Sequence, residues 1–196
     1  ELTQAEITRM YNTYYSPNRV ANGNFSQIGN EEVTNGDFSQ IGSELVTNGD
    51  FATDSDWSFT GDGSISNGEL ILPCCIFNNR VAQNSVGMSS SKSYKLEINI
   101  TQITSGDTID YLQGGVWYTF GTQLGINTAY ITNPTDSSLF LRNSNGTGTI
   151  KIDNVSVKEV GQDWTFGTGW SMGDGLAECD GTQSTFSYLT QTGLSL

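Results

Sequence analysis

Alternation of apolar and polar residues is the clearest pattern in this chain. Residues 94 to 101 read Tyr, Lys, Leu, Glu, Ile, Asn, Ile and Thr, which is typical of a strand with one buried and one solvent-exposed face. Turn signals such as Asn67-Gly68 and Ser105-Gly106-Asp107 separate about ten candidate strands, and strands this short and numerous predict an all-β, two-sheet sandwich. The candidates are 45–48, 57–59, 69–72, 80–83, 94–103, 108–112, 116–120, 129–132, 138–142 and 149–157.

The last candidate strand changes its pattern part-way. Ile150 and Ile152 share one parity, whereas Val155 and Val157 share the other. Because side chains alternate between the two faces of a strand, one extra residue is needed to turn both pairs to the core. The sequence therefore predicts a β-bulge at Asp153-Asn154.

Residues 1–15 have the period of a helix instead. Thr3 and Glu6 have the spacing of a capping box, and Ile7, Met10 and Tyr11 then recur on one face. Pro17 predicts the end of this helix. Residues 2–12 resemble the closing segment of laminin-G-like, concanavalin-type lectin domains in phage and bacterial surface proteins. That resemblance implies that residues 1–19 are the end of an upstream lectin-like domain.

A six-residue motif occurs three times before the main run of strands. The copies, Val-Ala-Asn-Gly-Asn-Phe at 20–25 and Val-Thr-Asn-Gly-Asp-Phe at 33–38 and 46–51, begin 13 residues apart. Asn-Gly predicts a tight turn, because both residues tolerate positive φ. We interpret the third copy as the entry to a domain at 44–160, and residues 20–43 as spare repeats. The spare copies pair along the main domain, stack on a neighbouring subunit or form a linker, and we favour stacking on a neighbour.

Composition limits the functions that this chain can have. Of its 196 residues, 8 are Lys or Arg and 21 are Asp or Glu, and the net charge of -13 disfavours nucleic acid and anionic membranes as partners. The chain has no His, which excludes Ser-His and Cys-His nucleophile pairs. Nothing pairs its carboxylates for hydrolysis, so we expect no enzyme. The three Cys residues have no disulfide or zinc spacing and are expected to be small, half-buried thiols.

A family resemblance rests on motifs at both ends of the 44–160 segment. They are Val-Thr-Asn-Gly-Asp-Phe at 46–51, Trp57, Ser-Ile-Ser-Asn-Gly-Glu-Leu at 64–70, and Ile-Asp-Asn-Val-Ser-Val-Lys-Glu-Val at 152–160. This segment looks like a family 4 or 9 carbohydrate-binding module, which has a galactose-binding-like jelly-roll fold.

The resemblance implies that the first and last strands are adjacent and share a structural calcium ion. Asp153 matches one ligand position of the family, but Ala52 stands where the family usually has Glu. Asp50, Asp54 or backbone carbonyls are candidate replacements, because calcium accepts oxygen ligands in flexible geometry. Asp153 closing the bulge by hydrogen bonds is the alternative.

Glycan contacts need aromatic faces and polar side chains. Tyr111, Gln113 and Trp117 form the densest such cluster and are our candidate carbohydrate-binding residues. If Leu112, Val116 and Tyr118 face inward, Tyr111 and Trp117 face outward. The alternative is that these aromatic side chains fill the core or a subunit interface.

Residues 161–196 repeat the beginning of the same module. Asp-Trp-Thr-Phe at 163–166 follows Asp-Trp-Ser-Phe at 56–59 by 107 residues, and the segment at 188–191 corresponds within a residue to 80–83. So short a segment cannot close a sandwich alone. Either the chain is a piece of a longer array, or strands of a neighbouring subunit complete this partial module.

Two functional hypotheses follow. The first is a non-catalytic module of a phage tail fibre or bacterial surface protein that binds cell-surface or environmental glycans, and so is extracellular or on a virion. The second is a structural subunit of a virion or filament, joined to identical neighbours through its terminal repeats and its partial module.

Overall fold

The computed structural model describes residues 2–14, 28–74, 79–173 and 175–194, without the side chains of 12–14. It consists of two compact units, Glu1–Glu32 and Val33–Leu196. The first copy of the repeat, at 20–25, and the predicted end of the helix at Pro17 lie outside the described residues.

The first unit contains the predicted helix, α1 (Gln4–Tyr14). Its capping box is confirmed: the Glu6 N–H donates to Thr3 Oγ1 at 3.3 Å, and the Thr3 N–H donates to Glu6 Oε2 at 2.9 Å. Thr3 Oγ1 also donates to Glu6 Oε2 at 2.8 Å. The two hydrogen bonds that Glu6 Oε2 accepts from Thr3, the backbone one first, lower the pKa of the Glu6 carboxyl. In the described parts of the chain, no helix has the length and apolar character needed to cross a membrane.

The second unit is built on a jelly-roll β-sandwich, which confirms the predicted fold class. A six-stranded sheet has the order β3-β4-β11-β6-β9, with β1 also paired to β11, and a five-stranded sheet has the order β2-β5-β10-β7-β8. All these neighbours are antiparallel. The strands are β1 (Ile41–Glu44), β2 (Ser58–Thr60), β3 (Ser64–Ser66), β4 (Glu69–Pro73), β5 (Arg80–Gln83), β6 (Ser93–Gln102), β7 (Ile109–Gln113), β8 (Val116–Gly121), β9 (Gly125–Thr132), β10 (Leu139–Asn143) and β11 (Thr149–Val160).

Alternate residues of the two sheets meet in one core. Leu96, Ile98 and Ile100 of β6 face Leu139 and Leu141 of β10, and each is at most 1% exposed. The predicted alternation of residues 94–101 is therefore confirmed. Three features differ from the prediction. Residues 45–48 are not a strand, because the chain there enters the Asn48-Gly49 turn, and the short strands β1 and β3 were not predicted.

The β-bulge predicted in β11 is confirmed. Ile152 pairs with Ile100 of β6 and Asn154 pairs with Asn99, so Asp153 is the extra residue. The bulge keeps Ile150, Ile152, Val155 and Val157 in the core, each at most 2% exposed. Asp153 itself is exposed and accepts a 3.4 Å hydrogen bond from Asn99 Nδ2.

The third copy of the repeat connects the beginning of the sandwich to β11. Asn48 and Phe51 adopt φ values of 50° and 53°, and the Phe51 N–H donates to the Asn48 carbonyl at 3.2 Å. The Val155 N–H donates to the Gly49 carbonyl at 2.9 Å. A Cβ on Gly49 would meet the Val155 carbonyl oxygen at 2.2 Å, so only glycine allows this approach.

The second copy has the same conformation but a different partner. Asn35 and Phe38 adopt φ values of 47° and 54°. Trp164 Nε1 donates to the Asn35 carbonyl at 3.0 Å, as Trp57 Nε1 does to Asn48. The expected stacking on a neighbouring subunit is therefore wrong for this copy, because a partner for its Phe and its turn is present in the same chain.

A glutamine clamp is repeated in the same way. Gln83 accepts from the Thr47 N–H at 2.8 Å and donates to the Thr47 carbonyl at 2.6 Å. Gln191 makes the same two bonds to Thr34, at 3.0 and 2.7 Å. The second copy thus takes the place, beside residues 161–194, that the third copy has in the complete sandwich.

The strands of residues 161–194 also repeat the opening of the sandwich. β12 (Thr165–Phe166) pairs with β15 (Leu189–Thr190) as β2 pairs with β5, and β13 (Trp170–Met172) pairs with β14 (Ala177–Cys179) as β3 pairs with β4. We call residues 33–38 and 161–194 together the half-module. Its small core contains Phe166 and Met172, with Val160 and Tyr130 of the sandwich packed against them.

The cysteines differ from the sequence-based expectation. Cys74 is disulfide-bonded, whereas Cys179 is free and exposed. The other cysteine, at position 75, lies outside the described residues. The spacing of the three cysteines did not predict a disulfide, because it does not match a disulfide framework.

Candidate functional site

The outer face of the five-stranded sheet has two rows of side chains that cross all five strands. The strand registers place the rows side by side. Each row takes one residue from every strand, because side chains of paired residues lie on the same face. One row is Ser58, Ala82, Phe140, Leu112 and Trp117, and the other is Thr60, Arg80, Arg142, Asp110 and Thr119.

Asp110 holds the centre of this face together. Its carboxylate is 4% exposed and accepts from Arg142 Nε at 3.1 Å and Nη2 at 3.0 Å, while Thr119 Oγ1 donates to its other oxygen at 2.7 Å. The Arg142 guanidinium, fixed in this way, lies over the Trp117 ring at 4.3 Å from the centroid. A buried carboxylate thus fixes a guanidinium over a partly exposed indole, and we call this Arg142–Trp117 pair the platform.

A second cation–aromatic pair lies next to this platform. The Arg80 guanidinium is 5.2 Å from the centroid of the Phe140 ring. Arg80 is exposed, and no described carboxylate lies within salt-bridge distance of it. Arg80 is thus an exposed cation with N–H donors, on a chain whose net charge is -13.

The structure separates the three predicted carbohydrate-binding residues. Trp117 is on the outer face, as predicted. Tyr111 is 8% exposed and points into the core, where its ring stacks on Tyr118 at 5.6 Å. Burial, and then the neighbouring Tyr118, raise the pKa of the Tyr111 phenol. Gln113 Nε2 donates to the Thr132 carbonyl at 2.7 Å, which ties β7 to β9 of the other sheet.

For Tyr111 the alternative that the aromatic side chains fill the core is correct, and the reason is the turn between β7 and β8. Gly114 and Gly115 have φ values of 60° and 77°, which makes a two-residue hairpin. Such a hairpin pairs Tyr111 with Tyr118 and Leu112 with Trp117. The Gly-Gly signal was sufficient to place Tyr111 and Trp117 on opposite faces. No local signal indicated Asp110, Arg142 or Arg80, since they meet only through pairing of distant strands.

The outer face of the six-stranded sheet has a different character. It carries an open groove of about 570 Å³, lined by Glu44, Glu97, Ile98, Asn99, Ile126, Asp153, Asn154, Ser156 and Lys158. The polar side chains among these residues offer hydrogen bonds, but none of the lining residues has an aromatic ring for a sugar to stack on. The groove is therefore the weaker candidate for a glycan.

The two predicted calcium ligands are both exposed. Asp50 Oδ1 accepts from the Ala52 N–H at 3.3 Å, and Asp153 lies in the bulge. Across the described residues, no three Asp, Glu, His or Cys side chains form a group that could hold a metal ion. Carboxylates alone thus do not fit a calcium site, and backbone carbonyls would have to supply the remaining oxygens.

Comparison with solved structures finds similar folds at low sequence identity. One is a CBM4 structure, with 18% identity, a TM-score of 0.36, and coverage of 65% of this chain and 99% of that one. Another is the CBM22-1 xylan-binding domain of Xyn10C from Paenibacillus barcinonensis, with 11% identity, a TM-score of 0.40 and coverage of 61% and 96%.

A third similar structure is the enzymatically active domain of tailspike protein 4 from bacteriophage CBA120. The identity is 15%, the TM-score is 0.41, and the match covers 59% of this chain. This chain spans 21% of the length of that structure. No protein-family model matches the sequence, and no curated protein sequence matches it.

Proposed function

We propose that this chain is a non-catalytic glycan-binding module and that the outer face of the five-stranded sheet is its binding surface. The observation that carries the proposal is the Arg142–Trp117 stack fixed by the buried Asp110 carboxylate. The resemblance of residues 44–160 to carbohydrate-binding modules suggests the function, and this stack supplies a candidate binding site for it.

The chemistry of the platform suits a sugar ring. Pyranose C–H groups pack on flat aromatic and guanidinium surfaces, while the hydroxyls need donors and acceptors at the edge of the ring. Thr119, next to Trp117 on β8, provides such a polar group, and Arg80 provides another three strands away on β5. Because Asp110 already holds Arg142, little side-chain entropy is lost when a ligand binds.

The test is binding of a glycan array and of soluble cell-wall polysaccharides, measured by titration on the full chain. Trp117→Ala is expected to weaken binding by roughly 30-fold, or about 2 kcal/mol, as for a central aromatic contact. Ile126→Ala is the matched control, because Ile126 is 70% exposed in the groove of the other sheet. Thermal melting checks that both variants are folded.

Absence of binding to every glycan, or equal loss in the two variants, would contradict this proposal. Loss only in Ile126→Ala would place the site in the groove of the six-stranded sheet. The setting that we propose is a phage tail fibre or bacterial surface protein, so that the module acts outside the cell or on a virion.

Structural calcium at Asp50 and Asp153 is part of the same proposal. An ion at this position would join the third repeat to β11. With a dissociation constant on the order of 10⁻⁴ M, 5 mM calcium would stabilise the fold by roughly 2 kcal/mol. Melting in calcium and in EDTA tests this, and Asp153→Asn is expected to remove the difference. Identical melting of the unmodified chain in both buffers would exclude the ion.

A structural subunit is the second candidate function. The half-module favours it, because in the described part of the chain β15 pairs with β12 alone and β14 with β13 alone. Light scattering would show homo-oligomers or filaments, and a monomer at high concentration would contradict this candidate.

A further inference from the structure

The cationic side chains of the sandwich differ in whether a carboxylate neutralises them. Every lysine forms an ion pair, with N–O distances of 2.6 to 4.0 Å, and the pairs are Lys92–Glu159, Lys95–Glu97, Lys151–Glu69 and Lys158–Glu44. Arg142 pairs with Asp110 at 3.0 Å. In the part of the sandwich that the structure describes, Arg80 is therefore the one Lys or Arg side chain without a carboxylate within this distance.

Arg80 also lies beside a second guanidinium. The register of β5 and β10, extended by one pair beyond Val81–Leu141, places Arg80 opposite Arg142. Paired residues on antiparallel strands have Cβ atoms about 5 Å apart, and like charges in such a pair repel each other. The Asp110 carboxylate binds Arg142 through Nε and Nη2, so it compensates only one of the two positive charges. An uncompensated cation thus remains next to the platform.

The strands of this sheet have the opposite sign of charge from the chain as a whole. Their charged residues are two arginines, Arg80 and Arg142, and one aspartate, Asp110, which gives these strands a net charge of +1. The whole chain has a net charge of -13. At physiological ionic strength, exposed charges more than about 8 Å apart are largely screened from each other. An anionic group beside Arg80 is therefore attracted by the nearby guanidinium and is little affected by distant carboxylates.

We infer that the glycan bound on this face is acidic, and that one of its carboxylate groups pairs with Arg80 beside Arg142. This inference rests on the proposed function, because it names the class of glycan for the same surface. The planar guanidinium group matches a carboxylate through two parallel N–H···O bonds. The Arg80 guanidinium lies 5.2 Å from the centroid of the Phe140 ring, and this contact restricts the side chain before a ligand binds.

The distance between Arg80 and Trp117 determines how such a ligand lies. The two residues are on β5 and β8, which are three strands apart in the order β5-β10-β7-β8. At about 4.8 Å between neighbouring strands, they are separated by roughly 14 Å, which is more than one sugar ring spans. The ring that packs on Trp117 and the carboxylate that pairs with Arg80 therefore belong to different residues of one oligosaccharide.

The experiment compares acidic polysaccharides with uncharged forms of the same polymers. Polygalacturonate, alginate and hyaluronan are each titrated into the full chain at about 0.15 M salt, where distant charges are screened. Each polymer is also titrated after chemical reduction of its carboxyl groups to alcohols. The measured quantity is the ratio of the two affinities. For at least one polymer, we expect the acidic form to bind about tenfold more tightly, as for one charge-assisted bidentate contact.

Substitutions assign this preference to one side chain. Arg80→Gln is expected to abolish the preference for the acidic form, whereas Arg80→Lys, which keeps the charge but not the planar group, is expected to retain part of it. Lys92→Gln is the matched control, because it removes the same unit of charge from beside the other sheet, and it should leave the affinity ratio unchanged. Trp117→Ala should weaken binding of both forms by the same factor. Thermal melting checks that each variant is folded.

The outcomes separate this inference from the proposed function. Equal affinity for the acidic and the reduced form of every polymer that binds would overturn the inference and leave glycan binding established. A preference that Arg80→Gln does not reduce, or that Lys92→Gln reduces as much, would also overturn it. Equally tight binding of dextran sulfate would show attraction to any polyanion and would overturn the assignment to a carboxylate. If neither form of any polymer binds, the proposed function fails together with this inference.

Discussion

Deletion of Asp153 is the sharpest test of how the sandwich is built. Without the bulge residue, either Val155 and Val157 or Ile150 and Ile152 must turn to the outer face, although all four are at most 2% exposed. Exposing two valines costs about 3–4 kcal/mol, at roughly 1.5–2 kcal/mol each. Polar residues of β11 would take their places in the core, which adds about 1–3 kcal/mol for each unsatisfied group.

The expected total exceeds about 4 kcal/mol, a large part of the 5–15 kcal/mol that typically stabilises a domain. Urea unfolding followed by Trp fluorescence measures the loss, with EDTA present so that no metal ion contributes. Asp153→Ala is the control. It keeps the residue count and removes only an exposed side chain, so we expect a loss within about 1 kcal/mol. If the deletion variant is within 1 kcal/mol of this control, the bulge does not set the register of β11.

Three further predictions concern single interactions. Hydrogen bonds from Thr3 lower the pKa of Glu6, so their contribution to the stability of α1 is present above pH 4.5 and is lost as pH falls through the lowered pKa. Circular dichroism should show this loss of helix at low pH, and Thr3→Ala should abolish the pH dependence. Asp110→Ala leaves the Arg142 guanidinium without its partner and should lower the free energy of unfolding in urea by about 2–4 kcal/mol. The double variant with Arg142→Met should recover part of this loss, and full additivity of the two single changes would refute the coupling. Because the pKa of Tyr111 is raised in the folded protein, only the unfolded phenol ionises just above pH 10, and stability should fall as pH rises through this range. Tyr111→Phe should weaken this pH dependence of unfolding, and an unchanged alkaline profile would refute the reasoning.

Sequence parity predicted those parts of the fold that depend on neighbouring residues. The faces of β6 and the bulge in β11 followed from the alternation of Ile, Leu and Val, because burial of one face leaves a single register. The capping box at Thr3 was predicted for the same reason, since its two residues are three apart.

Parts of the fold that depend on strand order were not predictable in this way. Asp110 and Arg142 are 32 residues apart and meet because β7 and β10 are adjacent, which no local pattern indicates. The partner of the second repeat was missed for a related reason. The 13-residue spacing and the copy of the Trp57 segment at Trp164 are both visible in the sequence, but no local pattern links one to the other. Asn35 and Trp164 stand before and after the sandwich in the sequence, so their contact depends on the fold of the whole segment between them.

That arrangement has a consequence for the order of folding. Ile41 of β1 pairs with Val160 of β11, so the folded sandwich brings its two chain ends together. Before this happens, Asn35 and Trp164 are the ends of a long flexible loop, and closing that loop costs entropy without a compensating core. The inner sandwich should therefore fold first. The half-module can form only afterwards, when its two pieces already lie side by side.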